Sequence, residues 1–254
     1  MKKEDARVAI IDNSIDPTVY KPVDHWRHFL GVPWEAFRAA EGCLPKLRKG
    51  YTHLILTGSE ASIQEREGWV YDEAEVVREA IARGIPVLGS CYGHQLLALA
   101  LRGPAHVRRC PRPEVGWIPV RIEKKNGLLG DRGIAHAFSS HFDEVIGLDD
   151  EFIVLASTPA CRVQAFELRF KPVWGIQFHP EINISAAREF LENLASLKLE
   201  TSPLFEETLR TKPKDSGHIR RIVRHFLAAD RKRRNGHPGP KERPALRRIF
   251  SLDK

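Results

Sequence analysis

Apolar residues in the first hundred positions fall into short unbroken runs separated by small and polar residues. RVAIID (7–12) is a run of aliphatic side chains closing on a polar turn, and THLILTGSEAS (52–62) repeats the pattern as a strand followed by a loop. Residues 72–84 change period: Ala74, Val77 and Ile81 fall on one helical face, with Asp72 placed to cap the start and Gly84 to close the end. IPVLGS (85–90) reads as a third strand, and its lack of alternation predicts burial on both sides. Strand, helix and strand with continuous apolar strands predict a parallel sheet covered by helices.

From Val115 the spacing shortens. VGWIPVRIEK (115–124), FIVLAS (152–157), VQAFEL (163–168) and VWGIQF (173–178) lie too close together for crossover helices between most of them, so this region is expected to be partly antiparallel. SAAREFLENLASLK (185–198) is an amphipathic helix with Ala187, Phe190, Leu191, Leu194 and Leu197 on one stripe. A last helix is expected where Ile219, Ile222, Val223, Phe226 and Leu227 sit at helical spacing among arginines, and the Pro- and Gly-rich run beyond Asn235 reads as irregular.

The chain of 254 residues is long enough for one α/β domain of about 200 residues with an appendage. We expect the domain to span 1–200 and a basic, partly helical extension to span 201–254. Its apolar and charged content is that of a globular protein, and no apolar run approaches the roughly 18 residues of a membrane span. The start, MKKEDARVAIIDNS, lacks a secretory cleavage pattern, which favours a cytoplasmic location. The net charge of +7 is unevenly divided. Residues 1–200 carry 25 basic against 27 acidic side chains, and residues 201–254 carry 15 against 6. A polyanionic partner, nucleic acid or an anionic surface, is therefore a question about the tail alone, and solvated arginines on a helix packed against its own domain are the simpler expectation.

Cys43, Cys91, Cys110 and Cys161 are far apart, with no C-x-x-C pair and no histidine spacing of the zinc type, so neither a disulfide framework nor a metal is expected. Cys91 differs in context. It falls between a strand ending at Ser90 and a helix beginning near Tyr92, at the edge of the sheet where α/β proteins bind ligands. A helix amino terminus favours negative charge on the sulfur, and Gly89 and Gly93 leave room for a sharp turn, the geometry of a nucleophile elbow. His179 directly follows another strand, and Pro180 sets the chain so that Glu181 can turn back toward the imidazole and fix its tautomer.

G-S-C-Y-G-H-Q (89–95) together with F-H-P-E (178–181) resembles the class I glutamine amidotransferase family. ILTGSEAS (55–62), EVGW (114–117), SSHFDEV (139–145) and QAFE (164–167) resemble its intervening segments in the same order, so the likeness spans about residues 7–195. The resemblance implies a flavodoxin-like fold: a mainly parallel central sheet flanked by helices, with a small antiparallel region. It also implies a Cys91–His179–Glu181 triad acting on the γ-carbonyl of glutamine or a γ-glutamyl compound, through a γ-glutamyl thioester and without a cofactor. Backbone N–H groups of Ser59 and Tyr92, beside Gly58, would hold the oxyanion, Gln95 would contact substrate, and the backbone around Ser140 and Phe142 would hold the glutamyl α-groups. His141 and Asp143 would either shape that loop or contact the substrate directly. The loop T-G-S-E-A-S departs from the usual S-G-G-P-x-S, since Ser59 replaces a glycine and Glu60 a proline, which puts a carboxylate near the site. No nucleotide-binding loop G-x-x-x-x-G-K-[ST] is present. The chain is thus expected to be either a free-standing hydrolase or transferase, which the EVGW and SSHFDEV segments favour, or a glutaminase subunit for a separate synthase such as a GMP synthase-type partner. A homo-oligomer remains open.

Overall fold

The computed structural model describes residues 6–65 and 68–229. The basic run DRKRR (230–234) and the Pro- and Gly-rich run beyond Asn235, expected to be irregular, lie outside the described residues. Nine strands form one sheet: β1 (Val8–Asp12), β2 (Trp34–Arg38), β3 (His53–Leu56), β4 (Val87–Ser90), β5 (Val107–Ile122), β6 (Gly133–Val145), β7 (Phe152–Ser157), β8 (Ala165–Leu168) and β9 (Val173–Ile176), in the order β2-β1-β3-β4-β9-β8-β7-β5-β6. From β2 to β9 neighbours run parallel, and from β9 to β6 they run antiparallel. The antiparallel part expected from Val115 onward is continuous with the parallel part. It begins earlier, at Val107, and contains the two longest strands.

Buried strands divide their side chains between two faces, as a pleated strand must. Ala9, Ile11, Leu54, Leu56 and Val87 join one core with helices α2 (Trp69–Ala82) and α3 (Tyr92–Arg102). Val8, Ile10, Ile55 and Leu88 join the opposite core with Trp26 and Leu30 of α1 (Pro22–Leu30). Neither α1 nor β2 was legible in the sequence. Pro22 opens α1 and Gly31, at φ 57°, closes it, whereas β2 is an edge strand of exposed and half-buried residues with no apolar run to announce it.

The expected helix at 72–84 begins three residues earlier, after Gly68, so Asp72 lies in its first turn rather than at the cap and there complements the helix dipole. Gly84, at φ 67°, follows its end. The helix expected at 185–198 is α4 (Ile184–Ser196), capped by the Asn183 side chain accepting from the Ala186 N–H at 3.0 Å. Four of its stripe residues are buried, but Leu197 lies just past the helix and is exposed. Among the described residues, two helices lie beyond residue 200. α5 (Ser202–Leu209) packs on α4 and β5, and all five expected apolar residues of α6 (Ile219–Leu227) are buried in the core that contains α1.

Phe226 is fully buried and its ring meets that of His53 edge-on at 4.9 Å. Phe226→Ala is expected to cost about 3–5 kcal/mol in urea unfolding; a cost below about 1 kcal/mol would show that α6 contributes little to this core. Glu73 on α2 is fully buried, and burial pushes its carboxyl well above the ordinary range against the opposing pull of the Asn13 side chain. A folded-state pKa above the unfolded one means that the folded state holds the extra proton, so stability declines as pH rises from about 4.5 toward the folded value. Glu73→Gln removes that decline: its melting temperature relative to the parent is expected to rise between pH 5 and pH 8.

Candidate active site

Strands β3, β4 and β9 are adjacent, and their carboxyl ends carry the loops that build the site. Ser90 of β4 pairs in parallel register with Ile176 of β9, so Cys91 and His179 leave the same edge of neighbouring strands. The turn is tight. Cys91 has φ 49°, a strained conformation for a residue with a β-carbon, and its N–H is held by the Ile176 carbonyl at 2.8 Å. Gly89 and Gly93 are the consequence of this close packing. A β-carbon on Gly89 would lie 2.4 Å from the Gly93 oxygen, and one on Gly93 would lie 2.3 Å from the Leu56 oxygen.

His179 is anchored by its N–H to the Phe138 carbonyl at 2.8 Å. Its Nδ1 lies 3.0 Å from the Glu181 carboxylate, and Cys91 is near enough for its charge to act on the ring. All three residues are 5% exposed or less, so these charges interact with little screening by water. Burial alone would depress the imidazole pKa, but the charges of Cys91 and Glu181 and their hydrogen bonds outweigh it and push His179 up to about 10. The structure therefore brings together the three residues singled out in the sequence.

Two further groups touch this chain of side chains. The Tyr20 hydroxyl lies 3.4 Å from both His179 Nδ1 and Glu181 Oε1, and the Ser90 hydroxyl lies 3.4 Å from the same carboxylate oxygen. Burial, with the charge of Glu181, holds the Tyr20 phenol well above its usual pKa, so it remains a donor. No local pattern marks Tyr20, which is 159 residues from His179.

A cavity of about 240 Å³ opens beside Cys91 and is lined by Ser59, Tyr92, Gln95, Ser140 and Phe142 among others. Gly58 instead packs on His179, where a β-carbon would come within 2.8 Å of the imidazole Cε1. The Gln95 amide donates to the Asp143 carbonyl at 2.9 Å, which braces the 140–143 segment, and the Cys91 sulfur lies 3.8 Å from the Ser140 carbonyl. Ser62 donates to Asp143 at 2.6 Å. Glu60 turns to the loop after β1, where its carboxylate accepts from the N–H groups of Ile15 and Asp16 at 3.1 and 3.2 Å. Ser59 Oγ accepts from the Ala61 N–H at 2.9 Å. The two departures in the loop are thus bonded into it. Phe190, Leu194, Leu199 and Phe205, from α4, α5 and their connection, form an apolar wall absent from the sequence expectation.

A second group of the same residue types lies on the antiparallel side: Glu114, His141 and Cys161 have ligand atoms within 4.8 Å of one another. All four cysteines are free, and among the described residues no helix is long and apolar enough to cross a membrane.

If the charges of Cys91 and Glu181 hold the proton on His179, any activity needing that proton should persist into alkaline solution. The alkaline limb of the pH–rate profile is expected near pH 10, where the raised imidazole loses its proton, instead of near 6.5. Glu181→Gln removes one supporting charge. It is expected to move that limb toward neutrality and lower turnover by about 10- to 100-fold; an unmoved limb would separate Glu181 from the imidazole's proton affinity.

The family model described as glutamine amidotransferase class-I matches residues 30–196. A glutamine-hydrolyzing GMP synthase subunit of Methanocaldococcus jannaschii is 36% identical over 120 residues, covering 46% of this chain and 63% of that protein. The glutamine-hydrolyzing GMP synthase of Aeropyrum pernix is 40% identical over 170 residues, covering 65% of this chain and 30% of that protein. The chain thus spans less than two thirds of the length of these relatives. A solved glutamine amido transferase from Methylobacillus flagellatus superposes with a TM-score of 0.71 over 91% of this chain and 97% of that one, at 23% identity, a likeness of fold.

Proposed function

The chain belongs to the class I glutamine amidotransferase family, and from that premise we propose that it cleaves the γ-carbonyl bond of glutamine or a γ-glutamyl compound through a thioester on Cys91, by hydrolysis or transfer. The observation that carries this reading is the buried series Cys91, His179, Glu181, with the sulfur on a strained turn at a helix amino terminus and the imidazole charged by its neighbours.

The steps follow from these groups. The Cys91 thiolate attacks the γ-carbonyl carbon, and the electron pair moved onto oxygen is held by the backbone N–H groups of Ser59 and Tyr92. His179 already carries a proton at neutral pH and gives it to the leaving nitrogen as the C–N bond breaks, releasing ammonia or an amine. The neutral imidazole then takes a proton from water, whose oxygen attacks the thioester; collapse frees the γ-carboxylic acid, which gives its proton to the released ammonia or amine, and restores the thiolate beside the imidazolium. Glu181 orients the ring throughout. Gln95, Ser140 and Phe142 line the cavity where the glutamyl α-groups would bind. Residues 1–200 would form the amidotransferase domain and 201–254 an extension to it, of which α5 supplies part of the cavity wall. A cytoplasmic setting suits a chemistry that needs a free thiol.

A second reading is a glutaminase subunit that passes ammonia to a separate synthase. The observation favouring it is that the M. jannaschii relative is named as one subunit of a GMP synthase. The apolar wall of Phe190, Leu194, Leu199 and Phe205 favours the free-standing reading, because the chain itself supplies that side of its pocket.

The pure chain is expected to release ammonia or amine from glutamine or γ-glutamyl amides, and Cys91→Ser to lower that rate by about 10³-fold or more. A glutamine-like diazo-ketone is expected to label Cys91 and spare Cys43, Cys110 and Cys161, as mapped by mass spectrometry. Labelling spread over all four would remove the case for an activated Cys91, and turnover only with an added synthase would select the second reading.

A further inference from the structure

The second cluster includes His141, which directly follows Ser140 in the segment that lines the cavity. Past a bulge between Arg109 and Glu114, the long β5–β6 ladder pairs Glu114 with His141. Cys161 comes from the connection between β7 and β8, in a turn fixed by two bonds: Thr158 N–H to the Cys161 carbonyl at 2.8 Å and Cys161 N–H to Thr158 Oγ1 at 2.9 Å. The three residues are separated by 27 and 20 positions, so no spacing in the sequence announces them.

We propose that Glu114, His141 and Cys161 form a binding site for a thiophilic divalent cation, best matched by Zn²⁺. One carboxylate oxygen, one imidazole nitrogen and one sulfur, all within 4.8 Å of one another, are a zinc donor set. Tetrahedral coordination at ordinary bond lengths needs donor separations of about 3.3–3.7 Å, so closing the site asks for movements of about 1 Å or less. His141 is already oriented for it. Its Nδ1 lies 3.1 Å from the Asp143 carbonyl and 3.3 Å from the Cys110 sulfur; with the proton on Nδ1, toward the carbonyl, Nε2 is left as the electron donor. That Nε2 faces Glu114 Oε2 at 3.1 Å. Two acceptors meet there unless a proton or a cation lies between them, and a sulfur converging on the same point favours the cation. Gln164 is fully buried; its Nε2 donates to the same Glu114 oxygen at 2.5 Å and lies 3.5 Å from His141 Nε2, while its Oε1 has no hydrogen-bond partner among the described residues. The amide thus steadies the carboxylate and holds a spare oxygen beside it.

Binding forms a sulfur–metal bond and breaks the Cys161 S–H bond, whose proton leaves to solvent; nothing is oxidised or reduced. The fourth position is left for water, with Glu114, the least buried of the three, on the approach side. Because His141 sits between Ser140 and Phe142, the ion would tie the cavity-lining segment to the β7–β8 connection. The site itself stands whether or not Cys91 acts on glutamine.

The test uses the full chain with Cys91→Ser, which removes the thiol of the first Cys–His–Glu group, after treatment with a chelator. Co²⁺ is added as the probe and followed by metal analysis and near-ultraviolet absorption. The expected result is about one Co²⁺ per chain with a thiolate-to-cobalt band, displaced by Zn²⁺, lost on adding Cys161→Ser and weakened at least about 10-fold by Glu114→Gln. Melting curves of the metal-free proteins check that both variants fold, and Glu114→Gln alone decides if Cys161→Ser does not. Absence of stoichiometric binding in the Cys91→Ser chain, or a thiolate band or an affinity that these changes leave intact, would overturn the proposal.

Discussion

Parallel pairing of β4 with β9 sets Ser90 opposite Ile176, and that register decides whether Cys91 and His179 meet. A shift by one residue would turn every side chain of β9 to the other face of the sheet and carry the imidazole away from the sulfur. The register is held from both sides. Leu88 packs with Trp174 and Ile176 in the core toward α1, Val87 packs with Val173 in the core toward α2, and the Cys91 N–H donates to the Ile176 carbonyl. The chemistry at the edge is therefore fixed by packing in the middle of the sheet.

The same packing explains the conformation of the nucleophile. A residue at φ 49° is strained, and only its surroundings can keep it there. Helix α3 lies so close to β3 and β4 that neither Gly89 nor Gly93 has room for a β-carbon, and the chain must reverse within the single residue between Ser90 and Tyr92. The sulfur consequently projects at the start of a buried helix, opposite a charged imidazole. Burial of the whole series of groups, through Glu181 to Tyr20 and Ser90, keeps their mutual attraction from being diluted by water.

The two Cys–His–Glu groups show how little residue type alone decides. In one, the cysteine starts a helix and the carboxylate sits two residues from the imidazole, so the charges are arranged in line. In the other, the three side chains converge from two long strands and a connecting turn, with a backbone carbonyl on the outer imidazole nitrogen. Burial pushes the Cys161 thiol up to about 12, so without a cation it stays a neutral thiol. The first arrangement suits proton transfer and the second suits an ion. They are joined by the segment from Ser140 to Asp143, which is braced by Gln95 and Ser62.

What the sequence determined was local and periodic. The apolar runs of β1, β3 and β4, the stripes of α4 and α6, the glycines flanking Cys91 and the histidine placed just after a strand are all written within a few neighbouring residues, because strand and helix periods and tight turns are set by nearby side chains. The tertiary structure decided what depends on residues far apart. Tyr20 reaches His179 across 159 positions, Glu114 meets His141 only after a bulge, β2 finds its place only as an edge partner of β1, α5 lines the cavity and α6 adds to the core. None of these contacts leaves a pattern along the chain, since each costs the closure of a long loop and forms only when the burial of a whole face outweighs that cost.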